Sequence, residues 1–179
     1  MPPINDFLSL RSRLITRKLL PIGIQTFSRL CEDDAYYVDK TRLLLSLIRG
    51  GSRYFLSRPR RFGKSLLVST LKELFEGNEP LFEGLYIHKA WDWSRRSPVV
   101  RLDFSIGGFE NPDRVAEDVN AQLRRMEEDA AIDPRHGIPA LRSQHLIREL
   151  RRKTGERVVV LIDEYDKPNP TRLARQADA

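Results

Sequence analysis

The sequence predicts an α/β domain built on a parallel sheet, with helices covering both faces of that sheet in three layers. Residues 157–162 form a continuous β-branched and aliphatic run, and residues 98–105 form a second, less regular one. Such runs are typical of strands buried on both faces, as parallel strands are. Segments with helical periodicity alternate with these strands, and that alternation favours a parallel three-layer sheet.

Helical periodicity marks the segments between the predicted strands. Leu67, Leu71, Leu74 and Phe75 fall on one stripe of a helix, and Gly77 is a suitable residue to end it. Three further helices are predicted over residues 42–48, from Asn111-Pro112 to about residue 130, and over residues 140–153.

Composition indicates a folded, cytoplasmic domain. The chain has 179 residues, of which 40% are hydrophobic and 31% charged, and its apolar runs are too short to span a membrane. A single cysteine, Cys31, excludes an internal disulfide and a cysteine-based metal cluster. The histidines, His88, His136 and His145, show no metal-ligand spacing.

The charge balance leaves nucleic-acid binding open. The 31 basic and 25 acidic residues give a formal charge of +6, which permits contact with nucleic acid but does not demonstrate it. Several of the basic residues lie close to Gly63 in the sequence. A bound triphosphate would account for these charges without any nucleic acid. Self-association is likewise left open by the sequence.

The segment that follows the apolar residues 54–56 has the layout of a phosphate-binding loop, a strand and a turn leading into a helix. It reads Arg58-Pro59-Arg60-Arg61-Phe62-Gly63-Lys64-Ser65-Leu66. Backbone N–H groups of such a turn and the helix dipole favour phosphate. We expect Lys64 to neutralise the β- and γ-phosphates, Ser65 to hold Mg²⁺, and Gly63 to let the backbone approach the ligand closely. The usual pattern has glycine where this chain has Arg58.

A pair of carboxylates follows the other apolar run. Asp163 and Glu164 come directly after residues 157–162. In a Walker-B arrangement the first carboxylate reaches the Mg²⁺ shell and the second polarises the attacking water. Acidic residues also occur at strand ends as solvated caps. Because the phosphate loop and this pair independently predict one Mg²⁺-nucleotide site, the functional interpretation is preferred.

Four motifs, taken in order, resemble the prokaryotic AAA-ATPase-like family. They are residues 20–27 (LPIGIQTF), 36–41 (YYVDKT), 57–66 (SRPRRFGKSL) and 161–168 (LIDEYDKP). The resemblance implies a P-loop NTPase fold of the AAA/ASCE type that binds ATP and Mg²⁺, with ATP hydrolysis as the family's activity. It also implies that Arg58 belongs to the family's own form of the loop. Members often carry a PD-(D/E)xK nuclease-like domain at the C-terminus.

The resemblance also assigns roles to individual residues. Lys64 and Ser65 would bind phosphate and Mg²⁺, Asp163 would complete the Mg²⁺ shell, and Glu164 would be the catalytic base. By analogy with related ATPases, residues 37–40 would help to enclose the adenine.

Three side chains or pairs have alternative interpretations. Arg60 and Arg61 either touch phosphate, face another subunit, or pair with an acidic neighbour such as Asp166. Asp103, at the end of the 98–105 strand, either lies near the site or is a solvated strand end, and the second interpretation is preferred. Trp91 and Trp93 are expected to serve packing more than base stacking.

The resemblance predicts three segments: an extension over residues 1–19, a partial ATPase domain over residues 20–168, and a polar tail over residues 169–179. In related ATPases the strand after Walker B lies between the P-loop strand and the Walker-B strand. We therefore expect a truncated member with an incomplete sheet, in which either these two strands pair directly or the chain is marginally folded. An active ATPase, a nucleotide-binding fragment without turnover, and a basic nucleic-acid-binding module remain as functional alternatives.

Overall fold

The computed structural model describes residues 18–57, 59, 62–105, 112–135 and 137–165. These residues form α-helices, short 3-10 segments at Glu79–Phe82 and Tyr86–Lys89, and a parallel strand pair. The helices and strands are α1 (Phe27–Glu32), α2 (Thr41–Gly50), α3 (Lys64–Glu76), β1 (Val99–Asp103), α4 (Pro112–Asp129), α5 (Pro139–Thr154) and β2 (Val159–Asp163). The predicted extension over residues 1–19 and the tail over residues 169–179 fall almost wholly outside the described residues.

The sheet consists, in the described part of the chain, of β1 and β2 in parallel. Val99 lies opposite Val159, and Asp103 lies opposite Asp163 at the carboxyl ends of both strands. The connection between the strands passes through α4 and α5, as a parallel pair requires. This arrangement confirms a mixed α/β fold, while the three-layer P-loop sheet stays a prediction.

The strand predicted over residues 54–56 is wrong. These residues have no strand assignment, and Tyr54 and Phe55 are 52% and 73% exposed. A strand is stable where a neighbour satisfies its backbone N–H and C=O groups, and β2 pairs with β1 instead. Direct pairing of this segment with the Walker-B strand, one of the two alternatives for an incomplete sheet, is therefore wrong as well.

One hydrophobic core joins α1, α2 and α3 to the 3-10 segments. It contains Phe27, Leu45, Leu74, Phe82 and Ile87. The tryptophans pack around it: the ring centroids of Trp93 and Phe82 are 5.3 Å apart, and those of Trp91 and Phe75 are 5.6 Å apart. The packing role expected for the tryptophans is confirmed.

A second core covers one face of β1. Val100 packs there with Leu123 of α4, Leu146 of α5 and Ile132. Val160 and Ile162 lie opposite Val100 and Leu102 in register but remain about half exposed. Helix α3 contacts both strands, so this helix and the strand pair belong to one packed unit.

Candidate nucleotide-binding site

The start of α3 has the backbone geometry of an anion site. Gly63 precedes the helix with φ 73° and ψ 28°, in the left-handed region. The N–H of Leu67 donates to the Gly63 carbonyl over 3.0 Å, so the N–H groups of Lys64, Ser65 and Leu66 have no acceptor within the helix. Among the described residues no side chain caps this end. Backbone donors and the helix dipole there favour a bound anion.

Glycine at position 63 is explained by its backbone angle. A Cβ at Gly63 would meet no described atom within 4 Å, so close approach to another part of the described protein is not the reason for glycine. The left-handed φ disfavours residues that carry a Cβ. The predicted close approach to a ligand stays a prediction.

The rest of the predicted phosphate loop is described in part. Arg58, Arg60 and Arg61 lie outside the described residues, so their predicted roles remain predictions. Pro59 and Phe62 are exposed, and Lys64, Ser65 and Leu66 are partly buried. The loop therefore presents its helix-start residues at the surface of the packed unit.

Asp163 is the last residue of β2 and is 3% exposed. Its Oδ1 accepts a hydrogen bond of 3.1 Å from the Glu164 N–H, and its Oδ2 lies 3.5 Å from Nη2 of Arg101. Glu164 has a φ of 53°, so the chain leaves the strand direction at the predicted base. Asp163 is thus buried, whereas Glu164 is partly buried.

Asp103 belongs to this cluster, contrary to the expectation of a solvated strand end. It lies directly opposite Asp163, and its Oδ2 is 3.6 Å from Nη2 of Arg101. Its Oδ1 accepts a hydrogen bond of 2.7 Å from the Ser105 N–H. The site thus contains two carboxylates and a guanidinium. Arg101 was not a candidate in the sequence, although its spacing of two residues from Asp103 places both on one face of a strand.

A side-chain amide holds the end of β1 in place. The Asp103 N–H donates to Oε1 of Gln122 over 2.8 Å, and Nε2 of Gln122 donates to the Asp103 carbonyl over 3.0 Å. Gln122, which lies on α4, therefore satisfies the backbone groups that a neighbouring strand would otherwise pair. This fixes the backbone that presents the Asp103 carboxylate.

An aromatic contact connects the two halves of the predicted site. The ring centroids of Phe55 and Tyr165 are 4.6 Å apart. Phe55 lies just before the phosphate loop, and Tyr165 lies just after the Asp163-Glu164 pair. Together with the packing of α3 against β2, this contact brings the regions of the two predicted motifs side by side.

The YYVDKT motif has a structural role of its own. Asp39 Oδ1 accepts hydrogen bonds from the N–H and hydroxyl of Thr41, at 2.8 and 2.6 Å, and its Oδ2 accepts one of 2.7 Å from the Tyr86 N–H. Partial burial alone would raise the pKa of Asp39, but these hydrogen bonds outweigh it and lower that pKa. The carboxylate ties the start of α2 to a 3-10 segment. The predicted adenine contact of residues 37–40 is not tested.

The oxygen atoms at the site suit a magnesium ion. Mg²⁺ prefers oxygen ligands and usually binds through one or two carboxylates together with substrate phosphates and water. The Ser65 hydroxyl in the first turn of α3, the buried Asp163 carboxylate and the neighbouring Asp103 supply ligands of this kind. Within the described residues, no three His, Cys, Asp or Glu side chains are grouped closely enough to hold a metal by themselves.

These features define a mixed α/β protein in which a parallel strand pair ends in carboxylates and packs against a helix that begins after a left-handed glycine. The chain belongs to the AAA-ATPase-like family, whose model, described as "Predicted AAA-ATPase", matches residues 21–178. The family resemblance is thereby confirmed. The family description supports ATP binding at the level of the family.

A curated relative is 53% identical to this chain over 168 residues. It is described as an uncharacterized protein in the vnfD 5' region of Azotobacter chroococcum mcd 1. The match covers 90% of this chain and 31% of the relative, so the chain spans about a third of the relative's length. No solved structure matches this chain. In the described part of the chain, no helix has the length and apolar character needed to cross a bilayer.

Proposed function

We propose that the protein binds ATP with Mg²⁺ between the start of α3 and the carboxyl end of β2. The observation that carries the proposal is the position of Lys64 and Ser65 in the first turn of α3, after a left-handed Gly63. That helix packs against the strand that ends in buried Asp163. The proposed phosphate-binding residues therefore begin a helix that packs against the strand carrying the proposed metal ligand.

Each residue has a defined task in this proposal. The N–H groups at the start of α3 bind phosphate oxygens, and the Lys64 ammonium neutralises the β- and γ-phosphates. Ser65 and Asp163 would hold Mg²⁺, which when bound neutralises phosphate charge. Pro59, Phe62 and Leu66 would complete the phosphate loop. Arg58, Arg60 and Arg61 would add cations beside the triphosphate.

Hydrolysis is the finer part of the proposal. Glu164 follows the proposed metal ligand directly, and its carboxylate would orient and deprotonate the attacking water. Its φ of 53° lies in the left-handed region, so the backbone leaves the strand conformation at this residue. In this proposal ATP turnover requires Glu164 in addition to the binding residues.

Titration of the purified chain with a fluorescent ATP analogue and Mg²⁺ tests the binding proposal. Lys64→Ala is expected to weaken binding by about ten- to a hundredfold, because hydrogen bonds to charged groups contribute roughly 1.5–3 kcal/mol each. Lys72→Ala is the matched control: it removes the same charge farther along α3, where Lys72 pairs with Glu76 at 2.7 Å. Saturable binding that is lost in Lys64→Ala and kept in Lys72→Ala supports the proposal. Absence of binding by a folded chain overturns it.

The same protein distinguishes the functional alternatives. Phosphate release that disappears in Glu164→Gln while analogue binding survives identifies an ATPase. Binding without phosphate release identifies a nucleotide-binding fragment. DNA binding that falls steeply with salt, ignores ATP and survives Lys64→Ala identifies a basic nucleic-acid-binding module instead.

A further inference from the structure

We propose that Arg101 is a positioning residue that neutralises Asp163 in the nucleotide-free protein and competes with the metal for that carboxylate. The inference rests on the proposed nucleotide site and adds a residue that regulates metal affinity there. It predicts that metal binding releases Arg101 from Asp163, and that removal of the guanidinium strengthens metal binding.

Strand geometry places the three charged groups together. Arg101 and Asp103 are two residues apart on β1, so their side chains share one face of the strand pair. Asp163 lies opposite Asp103 in the parallel register. Nη2 of Arg101 is 3.5 Å from Oδ2 of Asp163 and 3.6 Å from Oδ2 of Asp103. One guanidinium nitrogen thus lies between the two carboxylates.

The guanidinium is held loosely. Both distances exceed the 2.7–3.2 Å that is usual for an N–H···O hydrogen bond, so charge attraction outweighs hydrogen bonding in this cluster. The Arg101 Nε is buried and has no hydrogen-bond partner among the described residues. The planar fork is therefore not locked against either carboxylate by short bidentate bonds, the arrangement in which arginine holds its partners most firmly.

Burial explains why a cation is needed at this position. Asp163 is 3% exposed, so water solvates its charge poorly, and an unpaired buried carboxylate is unfavourable. Asp103 brings a second negative charge directly across the strand pair, and Arg101 offsets the repulsion between them.

A divalent metal ion at Asp163 would also neutralise the buried carboxylate, with twice the charge of the guanidinium. Two cations beside one buried carboxylate repel each other. Arg101 has a second partner in Asp103, at nearly the same distance as Asp163, so it can leave Asp163 and still remain paired. The two carboxylates thus allow an exchange in which Mg²⁺ binds Asp163 while the guanidinium stays paired with Asp103.

Binding of Mn²⁺, followed by the electron paramagnetic resonance signal of the free ion, tests the inference without any activity measurement. Titrations are made with Mn²⁺ alone and with Mn²⁺ and ADP. Arg101→Gln is expected to bind Mn²⁺ about tenfold more tightly than the unmodified protein, because a competing charge within a few ångströms is gone. Arg95→Gln is the matched control, since Arg95 pairs with Glu156 at 3.3 Å elsewhere and its loss should leave Mn²⁺ affinity unchanged.

The sign of the change separates competition from mere structural support. If Arg101 only holds the carboxylates in place, Arg101→Gln weakens Mn²⁺ binding or leaves it unchanged, and the inference is overturned. Should Arg101→Gln fold poorly, Arg101→Lys replaces it in the same titration. Lysine keeps the charge but loses the planar fork, so we expect roughly two- to threefold tighter Mn²⁺ binding. Unchanged or weaker binding in that variant also overturns the inference.

Failure of this inference differs from failure of the proposed function. In one outcome, the ATP analogue binds in a way that depends on Lys64, but Mn²⁺ affinity does not rise in Arg101→Gln. The proposed nucleotide site is then supported, and the competing role of Arg101 is overturned. If neither the unmodified protein nor Arg101→Gln binds the analogue or Mn²⁺, the proposed function and the role of Arg101 are both overturned. Mn²⁺ binding that is weak in the unmodified protein and strong in Arg101→Gln supports the competing role directly.

Discussion

The ring of Phe55 packs against the ring of Tyr165, with centroids 4.6 Å apart and ring planes inclined by 51°. The two residues are far apart in sequence, and each adjoins one of the two motifs predicted to bind Mg²⁺-nucleotide. Without a strand over residues 54–56, this contact joins the segment before the phosphate loop to the residues after β2. Its loss should therefore loosen the connection between the two halves of the site, which the packing of α3 against β2 also maintains.

Phe55→Ala is expected to weaken binding of the fluorescent ATP analogue and to leave the melting temperature nearly unchanged. An aromatic pair contributes about 0.5–1.5 kcal/mol, and Phe55 is 73% exposed, so little core packing is lost with it. Titration and thermal unfolding of the same preparation measure the two effects. Tyr36→Ala, which removes an aromatic ring that is 51% exposed, is the control and should leave the affinity unchanged. Equal affinities of Phe55→Ala and the unmodified protein would contradict the prediction.

Gly63→Ala is expected to lower the free energy of unfolding by about 1–2 kcal/mol, because alanine is strained at a left-handed φ. It should also weaken nucleotide binding, since the same backbone directs the first N–H groups of α3. Gly63→Asn should cost less, because asparagine tolerates this region. Gly23→Ala is the matched control: its φ is 75°, no atom of the described residues lies within 4 Å of the added Cβ, and it lies outside the predicted loop. Chemical denaturation should therefore show a similar loss of stability in Gly63→Ala and Gly23→Ala. Analogue titration should show a loss of affinity in Gly63→Ala alone.

Asp39 should make stability depend on acid pH. Its pKa in the folded protein is lowered from the ordinary 3.8, so its stabilising contribution is complete above that value. The contribution is then lost as the pH falls through the lower, folded-state pKa. Asp39→Asn should be about 1 kcal/mol less stable at pH 7, because a neutral amide accepts these hydrogen bonds less strongly than a carboxylate, and the gap should shrink below pH 3.8.

Urea denaturation at a series of pH values measures that gap. Asp33→Asn is a suitable control, because Asp33 is an exposed carboxylate 3.6 Å from Arg29. Its substitution should have a small effect at every pH. A stability difference for Asp39→Asn that persists unchanged into strong acid would show that the charge of Asp39 is irrelevant.

Glu127 and Arg142 form a buried ion pair between α4 and α5. The Glu127 Oε2 lies 3.2 Å from the Arg142 Nε, and the side chains are 1% and 6% exposed. Glu127→Ala should destabilise the protein by about 3–5 kcal/mol, because it leaves a buried guanidinium without its partner charge. The double variant Glu127→Leu with Arg142→Met should recover most of that loss, since apolar side chains can replace both charges.

Thermal and urea unfolding of the single and double variants make this comparison. Glu76→Ala removes one partner of the more exposed Lys72–Glu76 pair and should cost no more than about 0.5 kcal/mol. A double variant that is as unstable as Glu127→Ala would mean that the pair, and not the unpaired charge, supplies the stability.

Local signals in the sequence determined most of the elements. The stripe of residues 67–75 and the stop at Gly77 predicted a helix that the structure has as Lys64–Glu76, with Gly77 in the left-handed region. The helix predicted over residues 140–153 is observed as Pro139–Thr154. These predictions succeeded because helical periodicity and capping depend on residues within a few positions of one another. The family motifs succeeded for the same reason, since each is a short contiguous segment.

The strands Val99–Asp103 and Val159–Asp163 overlap the two runs predicted from the sequence. The tertiary structure alone decided that residues 54–56 form no strand and which side chains surround Asp163. Residues 54–56 have the composition of a strand, but β-structure needs a partner that lies far away in sequence, and β2 pairs with β1. The position of Arg101 between Asp103 and Asp163 follows from the register of that pair, which no local pattern encodes. The sequence by itself therefore determined the family, the helices and the candidate residues. Non-local pairing decided the sheet and the charge environment of the site, because hydrogen bonding between strands and electrostatics depend on distances that only the folded chain sets.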